Sequence, residues 1–91
     1  MKAHLLRIEG RVQGVGYRDW LLRQATAAGL SGWVRNRADG SVEALLAGDE
    51  AAVGKVLLAC RHGPPLARVD AITESFAAVP EEPGFLRRPS A

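Results

Sequence analysis

Over residues 3–10 apolar and polar positions alternate, with Leu6 and Ile8 on one face and Leu5, Arg7 and Glu9 on the other. A period of two predicts a half-buried strand. From Tyr17 the period lengthens, and Tyr17, Leu21, Ala25 and Ala28 fall on one stripe of a helix over residues 17–28. Gly29 stands where a left-handed residue ends such a helix, and Leu30 follows to pack against its last turn. Strand patterns return over 31–37 and 41–47, separated by Ala38-Asp39-Gly40, a hairpin signal because Asp-Gly tolerates positive φ. A second helix, capped by Gly48 or Asp49, runs to about His62 with Val53, Val56, Leu57 and Cys60 as its apolar face. Gly63-Pro64-Pro65 stops it. A further strand covers 66–73 with Ala67 and Val69 inward, and Ile72 breaks its parity, which predicts a bulge or a strand end nearby.

The order strand–helix–strand–strand–helix–strand is the split βαβ arrangement of an α+β, ferredoxin-like two-layer sandwich: a four-stranded antiparallel sheet with two helices on one face. Residues 79–91 form a C-terminal tail holding Pro80, Pro83, Gly84 and Pro89. Within it only Phe85-Leu86 is suited to pair or pack, as a short fifth edge strand. Right-handed crossovers make the first two strands parallel, with the third inserted between them. The loop leaving strand one and the end of strand two therefore meet at one sheet edge, roughly 10 Å apart. Open sheets generally bind ligands at such an edge.

Ninety-one residues make one small domain. No apolar run approaches the roughly 18–20 residues of a membrane helix, and the N-terminus lacks the pattern of a secretory signal. With Cys60 alone no internal disulfide can form, which suits a cytoplasmic setting. The net charge of +2 demands no nucleic acid. Two histidines and one cysteine lack ligand spacing, so neither metal nor other cofactor is expected. Ten of the twelve basic residues are Arg, and Asn36 is the sole asparagine, a weak hint of coding bias or of life at high temperature.

The chemistry concentrates in Gly10-Arg11-Val12-Gln13-Gly14-Val15-Gly16-Tyr17-Arg18, which passes from a strand through a glycine-spaced loop into a helix. Without Cβ atoms at 14 and 16, successive backbone N–H groups can turn toward one point. The helix N-terminus adds unpaired donors and a positive dipole end there. Arg18 adds a planar guanidinium, completing a phosphate cradle. At the end of strand two, Val34 and Asn36 share a face, with Trp33, Arg35 and Arg37 on the other. Val34 must face the core, so Asn36 points toward the helix layer and the glycine loop. A carboxamide there needs partners. A water beside bound phosphate would serve, and so would a local role capping the hairpin 36–40.

The segments Gly10–Arg18, Gly32-Trp33-Val34-Arg35-Asn36 and Asp39-Gly40-Ser41-Val42-Glu43 together resemble the acylphosphatase family. Gly63-Pro64 and Ala67-Arg68-Val69 match later segments, so the similarity covers nearly the whole chain. The resemblance implies the same fold and the hydrolysis of small acyl phosphates to carboxylate and inorganic phosphate. It implies Arg18 and Asn36 as catalytic residues. Gln13, Gly14, Val15, Gly16, Tyr17 and Arg18 are then the phosphate-binding residues, with inorganic phosphate or sulfate as the expected bound anion. Two departures stand out. Tyr17 occupies a place where phenylalanine is commoner, adding a hydroxyl that needs a partner if buried. The family's closing apolar strand has only Phe85-Leu86-Arg87-Arg88 to represent it here.

That activity suits a sparse set of groups. A carboxylate leaving group with a pKa of roughly 4 departs without enzymatic protonation, and phosphoryl transfer mainly needs positioning and charge stabilisation. In this reading Arg18 and the amides of residues 13–17 hold the phosphoryl oxygens, while Asn36 orients the water. Arg11, Arg35 and Arg37 either steer anions inward or form a solvated face. His62 suits the negative end of its helix, Cys60 the core, and Trp20 and Trp33 partial packing. The alternative is a non-catalytic module binding phosphate or nucleic acid. An RNA platform wants aromatics on the central strands, where this chain offers Leu5, Arg7, Glu9, Glu43 and Leu45. Nucleic acid is therefore disfavoured. A free-standing monomer is expected rather than a domain of a larger carbamoyl-transferring protein.

Overall fold

The structure, a computed structural model, describes residues 2–91. Its elements follow in the order β1 (Ala3–Arg11), α1 (Tyr17–Ala27), β2 (Ser31–Asn36), β3 (Val42–Ala47), α2 (Glu50–Cys60), β4 (Arg68–Ala77) and β5 (Phe85–Arg87). β1 and β2 each pair antiparallel with β3, so they run parallel to one another two strands apart. β4 flanks β1 antiparallel, and β5 flanks β2 parallel. The sheet order is therefore β4-β1-β3-β2-β5: the four expected antiparallel strands, with the short fifth edge strand in place and parallel to β2. Prolines at 83 and 89 bracket β5 and keep it to 3 residues.

Leu6, Ile8, Val34, Val42, Ala44 and Leu46 supply the helix-facing side of the sheet, against Tyr17, Leu21 and Ala25 of α1 and Val53, Val56 and Cys60 of α2. Each helix has 11 residues, below the about 12–15 at which an isolated helix becomes even marginally stable. Packing against the sheet, not propensity, holds them. α1 ends in the expected left-handed turn, with Gly29 N donating to Thr26 O at 3.1 Å and Leu30 N to Ala25 O at 3.0 Å. Asp49 caps α2 by accepting from Ala52 N at 3.1 Å.

The parity break at Ile72 is a bulge. Glu9 pairs with Ala71 and Gly10 with Val69, leaving Asp70 as an extra residue on β4. Val69 and Ile72 thereby reach the same core. Gly10 has φ +128°, and a Cβ there would lie 2.2 Å from Arg68 O, so only glycine fits opposite the bulge. β4 runs on to Ala77, beyond the expected end near 73, because Ala3 to Glu9 supply an unbroken ladder for it.

On the face away from the helices, Ala3, Leu45 and Ala47 pack with Leu5, Trp33, Ala77 and Val79. Above this patch Arg35 and Arg37 pair with Glu43 at 2.7 and 3.2 Å. Trp33 lies beneath the guanidinium groups of Arg35 and Arg88 at 4.9 and 5.2 Å.

Candidate active site

Where β1 ends, Val12 turns into the core and the chain enters the glycine loop. Gly14 and Gly16 have φ of +73° and +80°, with open space around both. The demand for glycine here is torsional, not steric. Gly16 is also the N-cap of α1, and no side chain caps that helix end. Its first-turn N–H groups and the positive end of its dipole are thus left facing outward.

Two side chains fix this loop to the rest of the fold. Gln13 Nε2 donates to Arg37 O at 2.8 Å and to Ser41 O at 2.9 Å, tying the loop to the β2–β3 hairpin. The Tyr17 hydroxyl donates to Cys60 O at 2.7 Å, tying the start of α1 to the end of α2. That bond answers the demand of a buried phenol for a partner. Burial pushes the Tyr17 pKa strongly upward and the Cys60 thiol up to about 11. Both are therefore neutral anchors at physiological pH, not acid–base or nucleophilic groups.

Asn36 lies at the end of β2 on the Val34 face, since Val34 and Asn36 pair with Ala44 and Val42 of the core. Its Oδ1 is buried with no hydrogen-bond partner. Such an acceptor costs about 1–3 kcal/mol if it stays unsatisfied. The hairpin does not use it: Asp39 Oδ1 closes the turn, accepting from Ser41 N at 2.9 Å and Ser41 Oγ at 2.6 Å. The tail does not trail away either. Ala91 N donates to Asn36 O at 3.0 Å and Ala91 O accepts from Ala38 N at 2.8 Å, so residues beyond β5 brace the backbone that carries Asn36.

Gly14, Gly16, Tyr17, Arg18 and Asn36 come together around one cavity of about 230 Å³, with Val12, Asp19 and Arg87 completing its wall. That is smaller than the about 300–1,000 Å³ of ordinary small-molecule pockets. Gln13 and Val15 are not part of the lining; Gln13 acts as a tie, and Val15 packs against the core. Among the described residues nothing forms an ion pair with Arg18. Arg35 and Arg37 lie on the opposite face with Glu43.

The cation that sequence reasoning missed is Arg87. It pairs in parallel register with Val34, which swings it to the cavity side of β5, and it donates to Asp19. The available signal was the alternation Phe85, Arg87 on one face, readable only once the tail is taken as a strand alongside β2.

The cavity can hold a small anion and a water molecule. Among the described residues no cluster of His, Cys, Asp and Glu is suited to a metal ion. No described helix is long and apolar enough to cross a membrane.

Comparison with known proteins agrees with this fold. A family model described as acylphosphatase matches residues 5–86. An acylphosphatase of Acidiphilium cryptum is 59% identical over 88 residues, covering 97% of either chain. One from Rhodospirillum rubrum is 58% identical over 90 residues, covering 99% of each. The crystal structure of acylphosphatase from Bacillus subtilis superposes with a TM-score of 0.90 at 35% identity, covering 97% of this chain and 99% of that one.

Proposed function

The chain belongs to the acylphosphatase family and hydrolyses acyl phosphates to a carboxylate and inorganic phosphate; from that premise we propose which of its groups do the work. Arg18 and the outward-facing amides of the glycine loop and first helical turn hold the phosphoryl oxygens. Gln13 and Val15 contribute backbone, Gly14, Gly16 and Tyr17 the inner curve. Asn36 orients a water in line with the bond from phosphorus to the acyl oxygen. The water oxygen bonds to phosphorus, the acyl oxygen leaves with its electron pair as a carboxylate, and the water's proton passes to a phosphoryl oxygen. No side chain need donate a proton, because the leaving carboxylate is a weak base.

The observation that carries this division is the unpartnered Asn36 Oδ1 in the same cavity as Arg18 and the uncapped start of α1. A rigid frame already holds both halves, so the charge stabilisation is preorganised. Inorganic phosphate or sulfate is the anion expected to rest there between turnovers. A monomer in the cytoplasm suits a cavity lined by one chain and a lone buried thiol. Binding of nucleic acid is not favoured: the open face is occupied by Leu5, Leu45 and the Glu43 ion pairs.

Asn36→Ala tests the roles. With benzoyl phosphate as substrate, kcat is expected to fall by about 10²–10³, while the inhibition constant for inorganic phosphate changes little. Weakened phosphate inhibition with kcat intact would assign Asn36 to anion binding instead.

A further inference from the structure

Arg87 and Asp19 share the cavity with the groups above but have no part in the division of labour just given. Their side chains are 42% and 55% exposed, so they sit at its rim, where the acyl portion of a substrate must emerge. Arg18 precedes Asp19 on the first turn of α1, and both line this cavity. The wall therefore carries two guanidinium groups against one carboxylate. Arg87 is delivered by the edge strand β5, whose pairing opposite Val34 sets it two residues short of the Asn36 level. An exposed pair of this kind contributes little to stability and is cheap to open.

Resting on the assignment of the phosphoryl group to Arg18 and the loop, we infer that Arg87 reads a second anionic group on the acyl side of the substrate. Preferred substrates are acyl phosphates whose acyl chain bears a carboxylate or a phosphate ester. Asp19 holds Arg87 across the rim in the free enzyme and yields it to the incoming anion, because a carboxylate or phosphate offers the guanidinium the same planar or tetrahedral oxygen pair. The carboxylate of Asp19 also repels anions from the rim. It thus lowers affinity for every doubly charged substrate while it stands, and the exchange of partners selects for anions that can replace it.

The test compares kcat/KM for benzoyl phosphate and for its 3- and 4-carboxylate derivatives, reading the ratio of the better carboxylated compound to the parent. In Arg87→Met the ratio is expected to fall about tenfold, the loss of one charge-assisted contact. Arg87→Lys should recover part of it, and Asp19→Asn should raise it above wild type. High salt should lower the wild-type ratio more than that of Arg87→Met. An equal fall for both substrates in Arg87→Met would place Arg87 on the phosphoryl end or in the structure alone, and an unchanged ratio would likewise overturn the inference. Hydrolysis of neither substrate by wild type would instead refute the assignment on which it rests.

Discussion

The two helices start in opposite ways. α2 begins with Asp49, whose carboxylate takes the amide of Ala52, and nearby Glu50 engages His4. α1 begins with Gly16, without a side-chain cap, facing an arginine and a carboxamide that have no protein partner among the described residues. The two starts lie at opposite edges of the sheet, since β1 runs toward the first and β3 toward the second. One edge is finished internally; the other is left for a ligand to finish. Binding chemistry is concentrated where the fold declines to satisfy its own donors and acceptors.

The largest test of that contrast is Arg18→Lys. An ammonium keeps the charge but not the planar fork, so kcat/KM for benzoyl phosphate should drop by about 10²–10³. Stability to urea should stay within about 0.5 kcal/mol of wild type, because no internal partner is lost. A destabilisation larger than that would mean the guanidinium is part of the scaffold and the edge is not unfinished at all.

The mirror experiment is Asp49→Ala. Removing the cap should cost about 1 kcal/mol, which lowers the thermal midpoint by roughly 4–8 °C in a domain of this size. Turnover of benzoyl phosphate should not change. If activity fell along with stability, the two edges would be coupled through α2 and the Tyr17–Cys60 bond, and the contrast would be one of degree.

Much of this was legible in the sequence because the signals were local. Gly29-Leu30, Asp39-Gly40 and Gly63-Pro64-Pro65 placed the element ends, and period-two alternation put Asn36 on the Val34 face. Even the bulge announced itself through the parity of Ile72. What could not be read depends on distant pairing. β4 extends to Ala77 only because β1 offers it a ladder; Phe85-Leu86 was readable as a short edge strand, but its parallel register with Gly32 to Val34 was not. Arg87 followed from that pairing and was therefore hidden in the tail. Alternation alone put Arg35 and Arg37 on the face away from Asn36, but their partner Glu43 lies on β3 and is supplied only by the strand register.

The smallest effect belongs to the finished edge and is read through pH. His4 Nδ1 lies 2.5 Å from Glu74 Oε2 and Nε2 3.0 Å from Glu50 Oε2, with the edge of the ring against Phe76, itself covered by the Lys2 ammonium at 4.0 Å. The hydrogen bond to Glu74 is the main cause that raises the His4 pKa above its ordinary 6.5, partly offset by burial, with Glu50 adding to the rise. Because the folded value exceeds the unfolded one, the folded state prefers the protonated ring. Its stabilisation is complete below the unfolded pKa and fades as pH rises through the raised folded value. Glu50 is 67% exposed and Glu74 35%, so solvent screening keeps the total at or below about 1 kcal/mol. Urea denaturation of wild type and His4→Gln from pH 5 to pH 9 should therefore show a gap that is widest at the acid end and closes toward the alkaline end. A gap independent of pH would mean that the ring stays neutral and acts by packing on Phe76. Activity should be indifferent to His4→Gln at every pH in that range, since the ring stands at the start of β1, the end of the strand opposite the glycine loop.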